Sequence, residues 1–405
     1  MVAETNPITL PVLDALFANE AFISELRTKL QLSDEQIAAL RKVSSDEVAR
    51  LRSANAENQP DSAETARQKS FDAIRGVVGN EKAAQVLVLA QQRWTTGTEE
   101  LVTKTEQEAE PTLLPCPNAV PKDTRIIVNI PAYRMDVFDK GTLVKSYRVG
   151  IGYPQFPLPT GLRKAKLIIF NPTWTPPDEP WVKAEDVGQV VPAGSKSNPL
   201  GPIKIPIGAP SLIHGGKPLS KIGTFASHGC VGLTNTQVKD FAKVLSDVSQ
   251  TELSEKTMAA YLAKKTTTRG VTLHQLVPVE LRYETIVLED GKLHIYRDVY
   301  NQNSNTEEKL QAVLEANGAT LDAFSEEEKT QVLDALNAMS SRPKKSVSPK
   351  PSPTPSPASS PVKLTQAEKK AELAKQRKLR NQKEIVVEIN GLTGKGYPSP
   401  LLSNE

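Results

Sequence analysis

The sequence predicts a mainly β domain, a β-sandwich or partly open barrel with a few helices, flanked by an all-α N-terminal region and a helical and disordered C-terminal region. Three observations carry this. Apolar residues recur at helical spacing from the N-terminus to about residue 108. From Asp123 the period changes to two and turn residues punctuate short runs. Near the C-terminus, Pro343 to Pro361 alternates Pro, Ser, Lys and Thr, a composition that cannot bury a core.

In the N-terminal region, 1–108, the residues Leu10, Leu13, Leu16, Phe17, Phe22, Ile23 and Leu26 mark the first helical face. Ser33 and Gln36 form a capping-box pattern that opens a second helix through Leu51. The polar run Asn55–Ser62 reads as a loop, and helical patterns resume over 63–78 and 81–101. No chemical motif occurs here, so the region reads as a packing or positioning module. The region 123–300 is the mainly β domain. Its predicted strands are 125–130, 134–138, 143–149 and 164–170, and a hairpin joins 276–288 to 292–300 across Glu289, Asp290 and Gly291. Pro176, Pro177 and Pro180 exclude regular structure from the loop they share with Trp174 and Trp181. After it come a helical pair, 303–341, the Pro/Ser linker, 342–363, and a tail, 364–405, with a basic helix over 366–383 and a short strand over 384–389.

Composition narrows the function classes. The chain has 405 residues, enough for two or three domains, and its net charge of +3 gives no global nucleic-acid signal. No run of about 20 apolar residues predicts a membrane span. Met1–Thr5 lacks the basic start and apolar run of a signal peptide. The lysine- and arginine-rich helix of the tail reads first as a solvated face. Its functional alternative is docking on anionic wall polymer or lipid headgroups.

The chemistry concentrates between Ile213 and Leu245. His214-Gly215 precedes Ser227-His228-Gly229-Cys230, the first histidine lying 16 positions before the cysteine. Acyl transfer by a thiol needs a base, a group that orients the base, and donors for the oxyanion. Cys230 is the candidate nucleophile and His214 the candidate base. Ser227, His228 and Gly229 supply backbone that can approach a ligand closely. Leu233-Thr234-Asn235 reads as a strand end, an Asn cap and a helix start, and backbone dipoles in such a turn are expected to lower the thiol pKa below about 8.5. His214, His228 and Cys230 lack the paired spacings of zinc sites. The only other cysteine, Cys116, sits between prolines and reads as incidental.

These motifs, with Gly150-Ile151-Gly152, Pro159-Thr160-Gly161, Asn171 to Pro177 and Asn198 to Pro202 in the same order, resemble the L,D-transpeptidase (YkuD-like, ErfK/YbiS-type) catalytic domain family. The resemblance covers about 123–300. It implies a cysteine acyltransferase of peptidoglycan biosynthesis acting on stem peptides in the periplasm or cell envelope, with no metal or organic cofactor. It also implies that the carbonyl of Gly215 orients the base. The family usually has arginine two residues after the cysteine, where this chain has Gly232, so another cation is needed beside the cleft. Lys217, Lys221, Lys204 and Arg163 are the candidates, with Lys221 favoured. Asn235 and Trp174 complete the substrate-binding set. Two alternatives stand beside transfer: hydrolysis of the same thioester, as an L,D-carboxypeptidase or amidase, and a wall-binding protein whose site has decayed.

Overall fold

The computed structural model describes residues 7–53, 63–96, 111–114, 117–177, 182, 184–208, 211–340 and 382–402. The loop 55–62, Cys116, Trp181, the linker 342–363 and the basic helix 366–383 lie wholly or almost wholly outside the described residues. The chain divides into two units, one of 1–115, 119–283 and 400–405, the other of 116–118 and 284–399.

The first unit begins with five helices: α1 (Leu10–Leu16), α2 (Glu20–Thr28), α3 (Asp34–Ser53), α4 (Ala63–Val78) and α5 (Asn80–Thr96). Each has a local cause. Thr9 caps α1 through its hydroxyl, Pro11 pre-sets the first turn, and Asn19 caps α2. Ser33 and Gln36 close the box at the start of α3, with Gln36 N donating to Ser33 Oγ at 3.2 Å and Ser33 N to Gln36 Oε1 at 3.1 Å. Leu13, Phe22, Leu26, Leu40, Ile74 and Val86 are fully buried among one another. Each such side chain contributes roughly 1.5–3 kcal/mol by leaving water.

A mixed eight-stranded sheet follows. Its strands are β1 (Arg125–Asn129), β2 (Arg134–Asp139), β3 (Thr142–Arg148), β5 (Gly161–Phe170), β6 (Ile203–Pro206), β7 (Leu212–His214), β9 (Val231–Gly232) and β10 (Arg269–Arg282), in the spatial order β3-β2-β1-β10-β5-β6-β7-β9. The pairs β1/β10 and β7/β9 are parallel and the others antiparallel. A separate parallel pair joins β4 (Ile151–Gly152) to β8 (Phe225–Ser227). Helices α6 (Asn235–Val248) and α7 (Glu255–Ala263) complete a mainly β core.

The chain from 276 to 288 is not one hairpin strand. It breaks after Arg282: β10 starts at Arg269 and runs through the centre of the sheet, and only β11 (Ile286–Glu289) pairs with β12 (Lys292–Tyr296). Pro278 pairs with Lys164 of β5 just past a register shift between Thr272 and Val277, and the β1 pairing begins only at the next residue, Val279.

In the second unit β11 and β12 are joined by β13 (Glu384–Glu388), so the predicted tail strand completes a three-stranded sheet instead of standing apart. Lys292 pairs with Glu388 at 2.9 Å, and His294 with Glu384. The sheet packs its Leu288, Leu293, Ile295 and Val387 against α8 (Glu307–Ala316) and α9 (Glu326–Met339). Among the described residues no helix is long and apolar enough to cross a membrane.

Candidate active site

The site is assembled where β7 meets β9. The parallel register sets Ile213 opposite Val231 and His214 opposite Gly232, so the histidine and the residue two past Cys230 face each other across one strand gap. Two backbone bonds lock the edge: Leu233 N to His214 O at 2.8 Å and Lys217 N to Leu233 O at 3.1 Å. Gly150 holds Gly232 from the far side by reciprocal bonds of 2.8 Å. The apolar Ile213 and Val231 are fully buried, which drives the pairing.

His214 is buried, and its Nδ1 lies 2.7 Å from the carbonyl oxygen of Gly215. A carbonyl only accepts, so Nδ1 carries the proton and Nε2 keeps its lone pair. Burial pushes the imidazole pKa down to about 3, with the charges of Lys217 and Lys204 adding to it against the Gly215 bond. The ring is therefore neutral at neutral pH.

Cys230 sits half-buried in the turn between β8 and β9. Ser227 Oγ braces that turn at both ends: it accepts from Cys230 N at 3.1 Å and donates to Cys230 O. Ser211 Oγ donates to Gly229 O at 2.9 Å. Gly229 has φ +89°, a conformation open to glycine at little cost, and this lets the chain reverse before the cysteine. The expected lowering of the thiol pKa is not found. Burial pushes the thiol up, against a Leu212 N–H hydrogen bond and the charge of Lys217. The physical reason is burial, which disfavours the thiolate more than the Leu212 bond and the Lys217 charge favour it.

The helix cap also differs from the expected one. Thr234 is the cap, accepting from Gln237 N at 3.1 Å, with the Gln237 side chain returning to Thr234 N at 3.0 Å. Asn235 is thereby freed, and its Oδ1 accepts from Gly216 N at 2.8 Å. It holds the loop after the base.

His228 packs its ring against Tyr153 and Phe156, with centroids 5.2 and 4.9 Å apart, and burial lowers its pKa to about 3. Trp174 is half-buried in an isolated bridge with Val191. Lys221 is exposed at the end of a short 3₁₀ turn, Leu219–Lys221. Lys217 is half-buried, and its Cγ, Cε and Cδ lie 2.8, 3.1 and 3.4 Å from where a Cβ on Gly232 would stand.

Two neighbours had no signal in the sequence. Ser211 is one. The other is Trp94, in the last turn of α5, whose ring carbon Cη2 lies 3.9 Å from the Cβ position of Gly229. Its carbonyl accepts from the buried Arg163 on β5. The helical module therefore reaches the cysteine turn, a contact between segments 135 residues apart that no local pattern announces.

Residues 123–268 match the model of YkuD, the L,D-transpeptidase catalytic domain. The probable L,D-transpeptidase YbiS of Escherichia coli strain K12 is 34% identical over 120 residues, 28% of this chain and 39% of YbiS. The chain thus spans well under half the length of the curated relatives it matches. Among solved structures, the catalytic domain of an Enterococcus faecium L,D-transpeptidase is 15% identical with a TM-score of 0.27, covering 40% of this chain and 100% of that one. An L,D-transpeptidase from Mycobacterium smegmatis is 16% identical with a TM-score of 0.23, covering 39% and 58%. Over residues 123–268, then, the chain is similar to the YkuD family of L,D-transpeptidase catalytic domains.

Proposed function

We propose that the chain is a cysteine acyltransferase that acts on peptidoglycan stem peptides through a thioester on Cys230. One observation supports this above the others: a neutral imidazole, fixed in one tautomer by Gly215 O, stands on the strand beside the cysteine turn. His214 Nε2 takes the thiol proton as Cys230 attacks the carbonyl of an L-centre that precedes a D-residue. The C–N bond breaks, the proton passes from Nε2 to the departing amine, and a D-amino acid leaves. An acceptor amine on a second stem then attacks the thioester and gives its proton to Nε2, which returns it to the sulfur as the C–S bond breaks. The product is a cross-link between stems, or between a stem and a protein amine.

The resting pair is neutral on both sides. Burial raises the thiol and lowers the imidazole, so proton transfer accompanies attack instead of preceding it as a stored ion pair. Ser227 fixes the turn from which backbone N–H groups of His228 and Gly229 face the developing oxyanion. The reaction places the protein's work in the periplasm or cell envelope, where such stems are found.

Cys230→Ala should lower turnover of purified stem peptides by several orders of magnitude, the scale seen for lost nucleophiles. Mass spectrometry of the products reads the result: dimers and released D-amino acid from the parent protein, neither from the variant. Unchanged dimer formation by Cys230→Ala would reject the mechanism. Shortened monomers without dimers from the parent would point to hydrolysis of the same thioester.

A further inference from the structure

Gly232 makes a slot beside the cysteine, and one side chain lies in it. The aliphatic stem of Lys217 runs along the bare face of Gly232, at distances that any Cβ would obstruct. The lysine is not there by chance of a long, mobile chain. Its own N–H is tied to Leu233 O at 3.1 Å, and the loop behind it is tied by Asn235 Oδ1 to Gly216 N at 2.8 Å. Burial disfavours its charge and Lys221 opposes it, while Cys230 favours it. Among the described residues, Lys217 is the cation whose charge acts on Cys230, and it acts on His214 and His228 as well. Lys221, by contrast, stands exposed at the end of its 3₁₀ turn and acts on Lys217.

We propose that Lys217, seated in the slot of Gly232, is the specificity-determining residue that holds an anionic group of the substrate, a carboxylate, next to Cys230. This assigns to Lys217 the role that the sequence alone favoured for Lys221. The identity of the carboxylate, that of the stem peptide, rests on the function proposed above. The slot and its preference for an anion do not. A half-buried ammonium attracts a carboxylate more strongly than a solvated one, because less water screens the pair.

The test compares two alkylating reagents of similar size, neutral iodoacetamide and anionic iodoacetate, by the rate at which each modifies Cys230. Any effect of Lys217 on the thiol pKa changes both rates alike and cancels in their ratio. Lys217→Ala should lower the iodoacetate-to-iodoacetamide ratio roughly tenfold, as expected for loss of one nearby charge in a site of intermediate dielectric. Lys217→Arg should keep most of the ratio, which separates loss of charge from loss of fold. Moving the amine to the other wall, Lys217→Ala with Gly232→Lys, should restore a substantial part of it. An unchanged ratio in Lys217→Ala overturns the proposal, as does a tenfold loss in Lys221→Ala with none in Lys217→Ala. With stem peptide, Lys217→Ala should raise KM while kcat changes less. If the reagent ratio falls as expected and stem peptides are not turned over, the slot stands and the peptidoglycan reading fails. Turnover with an unchanged ratio leaves the function standing and removes the slot.

Discussion

The two ends of the eight-stranded sheet treat buried charge in opposite ways. At the β1–β10 end, Glu280 lies between two arginines, 2.5 Å from Arg125 Nη1 and 2.8 Å from Arg282 Nε, and Arg134 meets Asp136 at 2.8 Å. At the β5–β7–β9 end, Arg163, Lys204, His214, Lys217 and His228 all have pKa values pushed down by burial, Arg163 to about 10, and no carboxylate contributes to any of them. Register explains how one sheet keeps both. Arg163 pairs with Val279 and Leu162 with Glu280, so the glutamate and Arg163 point to opposite faces of the sheet. The paired end is built for the fold. The other end, among the described residues, gathers cationic groups whose charge burial disfavours, and it is the end that holds Cys230.

The largest effect should come from breaking the paired end. Glu280→Gln leaves Arg125 and Arg282 buried without their shared charge, and should cost about 3–5 kcal/mol. Arg163→Met should behave differently. Arg163 is 2% exposed; among the described residues Nε and Nη1 have no hydrogen-bond partner, and Nη2 donates to the carbonyl of Trp94. Removing an uncompensated buried charge offsets the lost hydrogen bond, so its stability should stay within about 1 kcal/mol of the parent or rise. Urea midpoints of the two variants measure the contrast. An equal loss in both would show that Arg163 is as well compensated as Arg125, and the comparison would fail.

The end that holds Cys230 can be read by pH. Because burial raises the Cys230 thiol, its alkylation by iodoacetamide should climb with pH well into the alkaline range. Because His214 and His228 are held near 3, no inflection should appear near the ordinary imidazole value of about 6.5. A plateau already reached at pH 6 would mean a stored thiolate–imidazolium pair, and would contradict the neutral resting state. Lys217→Ala should move the curve further to alkaline pH, since the lysine is the charge that favours the thiolate.

Much of this was legible in the sequence, and what was not has physical causes. The N-terminal helices announce themselves because caps and apolar spacing are local: Ser33 and Gln36 lie three residues apart, and α4 begins and ends at the expected Ala63 and Val78. The turn of Cys230 and the strand of His214 could be recognised by their motifs for the same reason. Among the lysines the sequence favoured Lys221. Lys217 and Lys221 are four residues apart in one loop, and the contact of Lys217 with the bare face of Gly232, on which its proposed role rests, depends on the β7/β9 register and not on local sequence. The thiol pKa was misjudged because its direction is set by burial, and how far the folded chain buries Cys230 is not written in the local pattern around it. The pairing of the tail strand could not be seen in the sequence because β13 meets β12 across about 90 residues, with Val387 opposite Leu293 in one apolar cluster, and no local pattern announces it.

The smallest effect separates fold from site within two adjacent residues. Thr234 closes a capping box and Asn235 bonds the loop that carries Lys217. Thr234→Ala removes the cap and should cost about 1 kcal/mol of stability. Any change in the reagent ratio at Cys230 should be minor, because the Gly216 bond survives. Asn235→Ala also loses about 1 kcal/mol, the worth of one hydrogen bond. But the bond it loses is the one that ties the backbone just before Lys217 to α6, so the ammonium is no longer held over Gly232. Its iodoacetate-to-iodoacetamide ratio should fall two- to threefold, on the order of a few tenths of a kcal/mol, as expected when an ordered charge becomes a solvated one. Urea midpoints and reagent ratios measured on both variants decide the matter. Equal ratios with equal losses of stability would mean that Asn235 supports the helix alone, and that Lys217 keeps its place through the Leu233 bond by itself.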